Sequence, residues 1–217
     1  MKTTRFVLLI SLMLVFLFPS YVSAQENIFY LTVKPGLYSP QTNDLEDFDT
    51  GFNGEISFGR QYNKNFAAEM GLGYFTTKGE QRSSGRVNGI TYSATADEQI
   101  TVVPVTLTLK GIYPINKWEL FALGGIGAYI VSGDLKLNIA ANGLSISDTV
   151  EDTKTIFGAH LGLGVHYNIT PTFFVGVEGK YLLTSEAKLK GELSTIPVEA
   201  KFNLNGILAT AVIGLRF

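Results

Sequence analysis

The stretch that decides the fold is Asn205–Phe217, NGILATAVIGLRF. Apolar side chains occupy every second position from Ile207 to Phe217. The positions between them include small and polar residues: Gly206, Thr210, Gly214 and Arg216. Alternation with a period of two predicts a β-strand with one apolar face. This face needs either a protein core or lipid to cover it.

Seven further segments show the same alternation, which predicts eight strands in all. A clear example places Phe157, Leu161 and Leu163 on one face and His160 on the other. The segment 118–131 is ambiguous, because two sets of apolar residues compete for the same face, and its phase stays open. The predicted strands begin near Phe29, Phe52, Phe66, Val103, Trp118, Phe157, Phe173 and Asn205.

The connections between these segments alternate in length. Short turns fall near residues 62–64, 114–117 and 168–171, and long links fall near 40–50, 76–97, 132–152 and 185–200. Short turns at one end of the strands and long loops at the other end are the pattern of transmembrane β-barrels. The pattern predicts that both chain ends lie on the short-turn side, which is the periplasmic side.

The N-terminal segment predicts export from the cytoplasm. Lys2 and Arg5 precede an apolar run over residues 6–18, and residues 22–24 are the small residues Val-Ser-Ala. The run is shorter than the roughly 20 residues that a membrane-spanning helix needs. We therefore expect a cleaved signal peptide over residues 1–24 and a single barrel domain over residues 25–217.

Composition excludes several classes of function. The chain has no cysteine, which excludes a disulfide, a thiolate nucleophile and a thiolate metal site. Its 17 Lys and Arg residues against 19 Asp and Glu residues give no basic surplus for nucleic acid. After the signal segment, the sequence contains no apolar run long enough for a spanning helix, so a closed barrel is the remaining way to cross a membrane.

From residue 25 onward, the chain resembles the small eight-stranded outer-membrane barrels of the OmpA/OmpX type. The resemblance rests on the alternating strands, the short and long connections, and the glycine-rich stretch Gly124-Gly125-Ile126-Gly127. It implies an all-β, eight-stranded antiparallel up-and-down transmembrane barrel in the outer membrane of a Gram-negative bacterium. It also implies contact with outer-membrane lipid and lipopolysaccharide, and with periplasmic chaperones and the barrel insertion machinery during biogenesis. Phe217 resembles the final aromatic that this machinery reads.

Aromatic residues near both ends of the strands predict the two membrane boundaries. Near the short turns they are Phe66, Tyr113, Trp118, Tyr167 and Phe173. Near the long loops they are Tyr74, Phe157 and Tyr181, and we place Tyr38 and Phe202 in the same group.

The faces opposite the apolar ones predict a charged lumen. The inward candidates are Lys34, Glu55, Glu69, Lys110, His160, Glu178, Lys180 and Arg216, with Arg60 and Glu119 near the periplasmic rim. An eight-stranded barrel has room for side chains and little else, and an unpaired charge there would be costly. We therefore expect a polar network of ion pairs that fills the lumen, with a narrow channel for small solutes or ions as the alternative.

The sequence predicts no catalytic residue, no cofactor and no metal site. His160 and His166 share a face, but six strand residues of about 3.3 Å each put their backbones roughly 20 Å apart. This distance is too long for one metal ion. A Ser, His and acid grouping across strands is recognised by geometry rather than by sequence. A lipid-modifying enzyme therefore stays as the less favoured alternative.

The long links contain strand patterns of their own. Residues 135–139 alternate between apolar and polar, and Asn142-Gly143 follows as a hairpin signal. Asn88-Gly89 supplies a second signal, and residues 188–198 read as a third hairpin. We expect several hairpins to project beyond the outer leaflet, where a free strand edge can recruit another chain. This predicts a non-enzymatic surface-interaction or adhesion-like protein with a surface protein partner. Mobile loops without a partner are the alternative, since edge strands are usually guarded.

Overall fold

A computed structural model describes residues 28–87, 90–141, 144–193 and 196–217, with the backbone alone described for 81–94, 96, 135–151 and 189–199 within these ranges. The predicted signal peptide, residues 1–24, lies outside the described residues, as do the hairpin tips Asn88-Gly89 and Asn142-Gly143. Among the described residues, no helix has both the length and the hydropathy that a membrane crossing requires.

The described residues form ten β-strands and one 3₁₀ turn, Asn43–Leu45. The strands are β1 (Ile28–Pro40), β2 (Gly51–Asn63), β3 (Phe66–Val87), β4 (Ile90–Ile115), β5 (Trp118–Ala141), β6 (Leu144–Asn168), β7 (Phe173–Thr184), β8 (Ala187–Leu193), β9 (Ile196–Phe202) and β10 (Gly206–Arg216). Asn116, in the turn between β4 and β5, has a φ of 55°. Asn tolerates this left-handed conformation better than most residues do.

Eight strands close into an antiparallel barrel in the order β1-β10-β7-β6-β5-β4-β3-β2, and β8 pairs with β9 as a separate hairpin. The first and last strands meet at the ends of the described chain. Phe29 N donates to Phe217 O at 3.2 Å, and Phe217 N donates to Phe29 O at 2.9 Å. The predicted eight-stranded all-β barrel is therefore confirmed.

Strands β3 to β6 continue past the barrel wall. Pairing of β2 with β3 stops at Asn53 and Phe75, whereas β3 pairs with β4 as far as Val87 and Ile90. Likewise β5 pairs with β6 out to residues 141 and 144, although β7 joins β6 only from Gly158. Residues 76–87, 90–101, 132–141 and 144–157 thus form a four-stranded extension, called here the projecting sheet. The hairpins predicted from the long links are present in it and in β8–β9.

The barrel wall separates two faces with a period of two. Phe157 and Leu163 on β6 are 71% and 70% exposed, although both are large and apolar. A contiguous exposed apolar surface marks an interaction with another protein or with lipid. The structure also resolves the phase of β5, where Ile126 is 63% exposed and Phe121 is 4% exposed.

Two prolines interrupt ladders inside the barrel wall. Pairing of β1 with β10 breaks between Val33 and Gly36 and resumes in the same register, and pairing of β3 with β4 breaks between Leu72 and Phe75. Pro35 and Pro104 lie at these breaks and remain paired with the strand on their other side. Proline has no N–H to donate to a ladder, so each break follows from the residue itself.

Candidate functional site in the barrel lumen

Three lysines and three glutamates meet at the centre of the lumen. Lys34 Nζ lies 3.0 Å from Glu55 Oε1, 2.8 Å from Glu69 Oε2 and 3.4 Å from Glu178 Oε1. Lys110 Nζ lies 2.7 Å from Glu69 Oε1 and 3.1 Å from Glu178 Oε2. Lys180 Nζ lies 2.8 Å from Glu55 Oε2 and 3.0 Å from Glu178 Oε1. These six residues are called the central network.

The central network is assembled by register. Lys34 on β1 is directly opposite Glu55 on β2, and the other members come from β3, β4 and β7. Each member bridges at least two others, and the Lys34 side chain is only 1% exposed. Buried charges are tolerated when they are paired and hydrogen-bonded, and three cations here balance three anions. Ser57 Oγ adds a hydrogen bond of 2.7 Å to Glu55 Oε1.

A column of stacked groups leads from the central network toward the short turns. Lys110 Nζ lies 4.4 Å from the centroid of the Phe121 ring, and the rings of Phe121 and His166 are 4.5 Å apart. The rings of His166 and Phe174 are 4.7 Å apart, and Arg216 lies 4.6 Å from the Phe174 centroid. Both ends of this column are cations over aromatic faces, a favourable arrangement.

The short-turn rim is closed by three polar side chains. Arg216 Nη2 lies 2.7 Å from Glu119 Oε2, and Arg216 Nη1 donates to Asn168 Oδ1 at 2.6 Å. Asn168 Nδ2 donates in turn to Glu119 Oε1 at 3.1 Å. Arg216 is therefore inward, as its phase predicts, but it pairs at the rim rather than in the central network.

His160 lies in the lumen beside the central network, on the other side of β5 from Thr108. Its Nε2 is 2.8 Å from Thr108 Oγ1, and the intervening residue on β5 is Gly125. One ring nitrogen of His160 is thus hydrogen-bonded to a threonine hydroxyl. Among the described residues, no group of three or more His, Asp or Glu side chains is placed to hold a metal ion.

The long-loop half of the lumen is apolar. Inward side chains of the barrel strands and of the base of the projecting sheet form one buried cluster there: Tyr38, Phe75, Ile100, Val102, Tyr129, Val131, Ile156, Leu182 and Leu208. Leu45 of the 3₁₀ turn and Ala187, Phe202 and Leu204 of the fourth long link complete it. Tyr38 Oη donates to Leu204 O at 3.1 Å. The cluster, called the apolar plug, fills the mouth of the barrel.

The apolar plug corrects two predictions about the membrane boundary. Tyr38 and Phe202 are buried in the plug and do not lie at the lipid interface. Their strand positions suited a boundary, but the lumen at this end is apolar and accepts large rings. The eight other boundary aromatics face outward or are half-buried: Phe66, Tyr113, Trp118, Tyr167, Phe173, Tyr74, Phe157 and Tyr181.

The first long link, residues 41–50, straps the apolar plug to the barrel. Asp49 N donates to Lys78 O at 2.9 Å, and the Thr77 hydroxyl donates to Asp49 O. Phe48 forms an isolated bridge with Gly79. Asn203 Nδ2 donates to Asp44 Oδ2 at 3.3 Å, which joins this link to the fourth. The strap therefore holds Leu45 in the mouth.

The structure brings Lys34, Glu55, Glu69, Lys110, Glu178 and Lys180 together, and it puts Arg216 with Glu119 at the rim.

Arg60 was expected near the rim of the lumen, and this was wrong. Arg60 pairs in register with Phe29, and its guanidinium lies 5.5 Å from the Phe29 ring and 5.1 Å from the Tyr62 ring. Sequence reasoning missed the stacked column, whose signal was the aromatic residues at inward positions of β5 and β7.

A closed barrel with an apolar outer face and a filled lumen defines the class of transmembrane β-barrels. The sequence matches the family model of the outer membrane protein beta-barrel domain over residues 9–203. The chain therefore belongs to this family, and membership places it in the outer membrane of a Gram-negative bacterium.

Solved structures similar to this chain include two outer-membrane proteins. The outer membrane protein OprG from Pseudomonas aeruginosa has a TM-score of 0.58 and 10% identity, covering 89% of this chain and 97% of that chain. A major outer membrane protein from Thermus thermophilus has a TM-score of 0.53 and 12% identity, covering 89% of this chain and 100% of that chain. At these identities the similarity shows the fold alone. No curated protein matches the sequence.

Proposed function

We propose that this protein is a non-enzymatic outer-membrane barrel that acts through its projecting sheet, as a surface-interaction or adhesion-like protein. The observation that carries the proposal is the length of β3 that has a ladder partner on one side only. From Gln81 to Val87, the described pairing of β3 is with β4 alone. Such an edge can accept an extended segment of another chain through backbone hydrogen bonds.

The two edges of the projecting sheet differ. The β8 strand packs beside the projecting part of β6, and Ser185 N donates to Phe157 O at 2.9 Å. On the other edge, the strap pairs with Lys78 and Gly79, which precede residues 81–87. We therefore favour β3 over β6 as the docking edge. Charged residues at 80, 82 and 86 fit an edge that is guarded against unselective pairing.

The filled lumen supports a role outside the barrel. The central network occupies the middle of the lumen, and the apolar plug occupies its long-loop half. The hydrogen-bonded side chains of Arg216, Glu119 and Asn168 occupy its short-turn end. The refolded barrel in a planar bilayer is expected to be electrically silent, after the heat-dependent shift in gel mobility has verified folding. Reproducible openings that change with Glu69→Gln would favour the channel alternative instead.

The docking edge is tested by shortening the β3–β4 hairpin at two residues that are paired in its ladder. Replacing residues 82–95 by a two-residue turn joins Gln81 to Ala96, which are paired in the intact hairpin. The matched control replaces residues 191–198, which joins the paired residues Lys190 and Glu199. Binding is measured on refolded protein in lipid nanodiscs, with immobilised eight-residue peptides of alternating Thr and Val as the probe.

We expect the first truncation to abolish peptide binding and the second to leave it unchanged. Peptides with proline at alternate positions lack the ladder donors and are expected not to bind. Equal binding of the proline peptides, or binding that survives removal of residues 82–95, would show that the β3 edge is not the docking surface.

A further inference from the structure

A small cavity lies between the central network and the short-turn rim. Its volume is about 10 Å³, and its polar lining comes from Tyr30, Gln61, Lys110, Glu119, His166 and Arg216. A single water needs a volume of roughly 10–15 Å³ and two to four polar partners. The cavity therefore has room for one water-sized ligand and for nothing larger.

His166 gives the cavity a specific polar contact. The residue is 5% exposed, and its imidazole packs against the rings of Phe121 and Phe174, with centroids 4.5 Å and 4.7 Å away. Its Nε2 is buried and has no hydrogen-bond partner among the described protein groups. Buried polar atoms are normally satisfied by protein or by ordered water.

The charges around the cavity favour a neutral ligand over an ion. Lys110 is paired with Glu69 and Glu178, and Arg216 is paired with Glu119. The described lining therefore offers no uncompensated charge to a chloride or a sodium ion. It does offer cationic donors, a carboxylate acceptor and an imidazole nitrogen, which suit a molecule that both donates and accepts.

We propose that the cavity is a binding site for one ordered water molecule, which hydrogen-bonds to His166 Nε2 and links the rim to the central network. The central network then has one ordered water beside it on the short-turn side. At the other end the apolar plug separates it from solvent, because the described side chains of the plug are apolar apart from the tyrosine hydroxyls. The proposal is independent of the docking edge on β3.

The direct test is a crystal structure of the refolded protein at a resolution that defines ordered water, with crystals grown in chloride and in bromide. We expect one spherical peak within hydrogen-bond distance of His166 Nε2, without anomalous scattering in bromide, and no such peak in His166→Phe. An empty cavity in the wild type would overturn the proposal, and so would an anomalous bromide peak. The wild-type crystals decide the question even if His166→Phe does not fold.

Discussion

Thr108 on β4 and His160 on β6 touch across the intervening strand, with Oγ1 and Nε2 2.8 Å apart above Gly125. A Cβ at Gly125 would lie 2.6 Å from His160 Nε2 and 2.2 Å from Leu107 O. The second neighbour is backbone and cannot move aside. Glycine at this position is therefore what permits two strands that are not neighbours to share a hydrogen bond.

Gly125→Ala is expected to lower the free energy of unfolding by about 1–3 kcal/mol, the usual range for overpacking. The matched control is Gly111→Ala, where an added Cβ meets no atom within 4 Å. It should be neutral or stabilising by about 0.4–1 kcal/mol, through the unfolded chain. Urea unfolding in lipid vesicles, followed by the fluorescence of the single Trp118, measures both. Equal effects of the two substitutions would contradict the contact.

Lys34→Met is expected to destabilise the barrel by about 3–5 kcal/mol, because three carboxylates would then face two lysines in a buried site. Adding Glu55→Gln should recover part of this loss by restoring the charge balance. The control is Lys154→Met, since Lys154 is 47% exposed and lies 3.7 Å from Asp152; an exposed pair contributes under about 1 kcal/mol. Comparable destabilisation in both lysine variants would show that burial of the network is unimportant.

Pro35→Val should stabilise the seam between β1 and β10 by about 0.5–1.5 kcal/mol, by adding a ladder donor. The register on both sides of the break already matches, so the strands need not shift. Hydrogen exchange is expected to slow for the amides of Val33, Leu37 and Ile213, which lie in the seam on either side of the break. Pro114→Val is the control, because β3 pairs with β4 only as far as Gly111. Unchanged exchange at the seam would mean that geometry rather than the missing N–H causes the break.

The strap should dock more tightly in mild acid. Burial, with the Asp47 carboxylate beside it, raises the pKa of Glu98, which lies on the projecting part of β4. The folded state then takes up a proton at a higher pH than the unfolded chain. The contribution of Glu98 to stability therefore rises as the pH falls through the folded pKa toward the ordinary carboxyl range, and it falls again as the pH rises.

The measurement is the exchange protection of the Phe48 amide, which donates to Leu45 O at 3.1 Å. After correction for the intrinsic exchange rate, protection should increase from pH 7 to the acid range in the wild type. Glu98→Gln should give higher protection at pH 7 and remove most of the pH dependence. Glu186→Gln, on another loop, should behave like the wild type. A wild-type protection factor that is flat with pH would contradict this account.

The inward and outward faces of most strands could be predicted from the sequence. Lipid requires apolar side chains and the middle of the lumen accepts charged ones, and the two kinds alternate along each strand. Lys34, Glu69 and Glu178 are inward by phase alone. Their partners were not predictable, since the register between strands decides which charges meet. Glu55 is opposite Lys34 in the ladder, but Glu178 reaches Lys34 across the lumen from the far side of the seam.

Several other misses share one physical cause, which is that the lumen is not polar throughout. Tyr38 and Phe202 were placed in the lipid interface because they are aromatic residues near the long loops, but an apolar lumen accepts them. The phase of β5 stayed open because Phe121 and Tyr129 are large, apolar and inward. Leu45 could not be recognised from the sequence as a residue of the plug, since a single leucine in an acidic link shows no periodicity. An apolar plug built from distant links is a tertiary property.

The central network also has an order along the chain. The hairpin of β1 and β2 brings Lys34 and Glu55, the hairpin of β3 and β4 brings Glu69 and Lys110, and β7 brings Glu178 and Lys180. Each of these units is electrically neutral in its contribution to the network. A barrel that enters the membrane one hairpin at a time would keep the central network balanced in charge at every stage, and assembly could pause at any of these stages without an electrostatic penalty from the network.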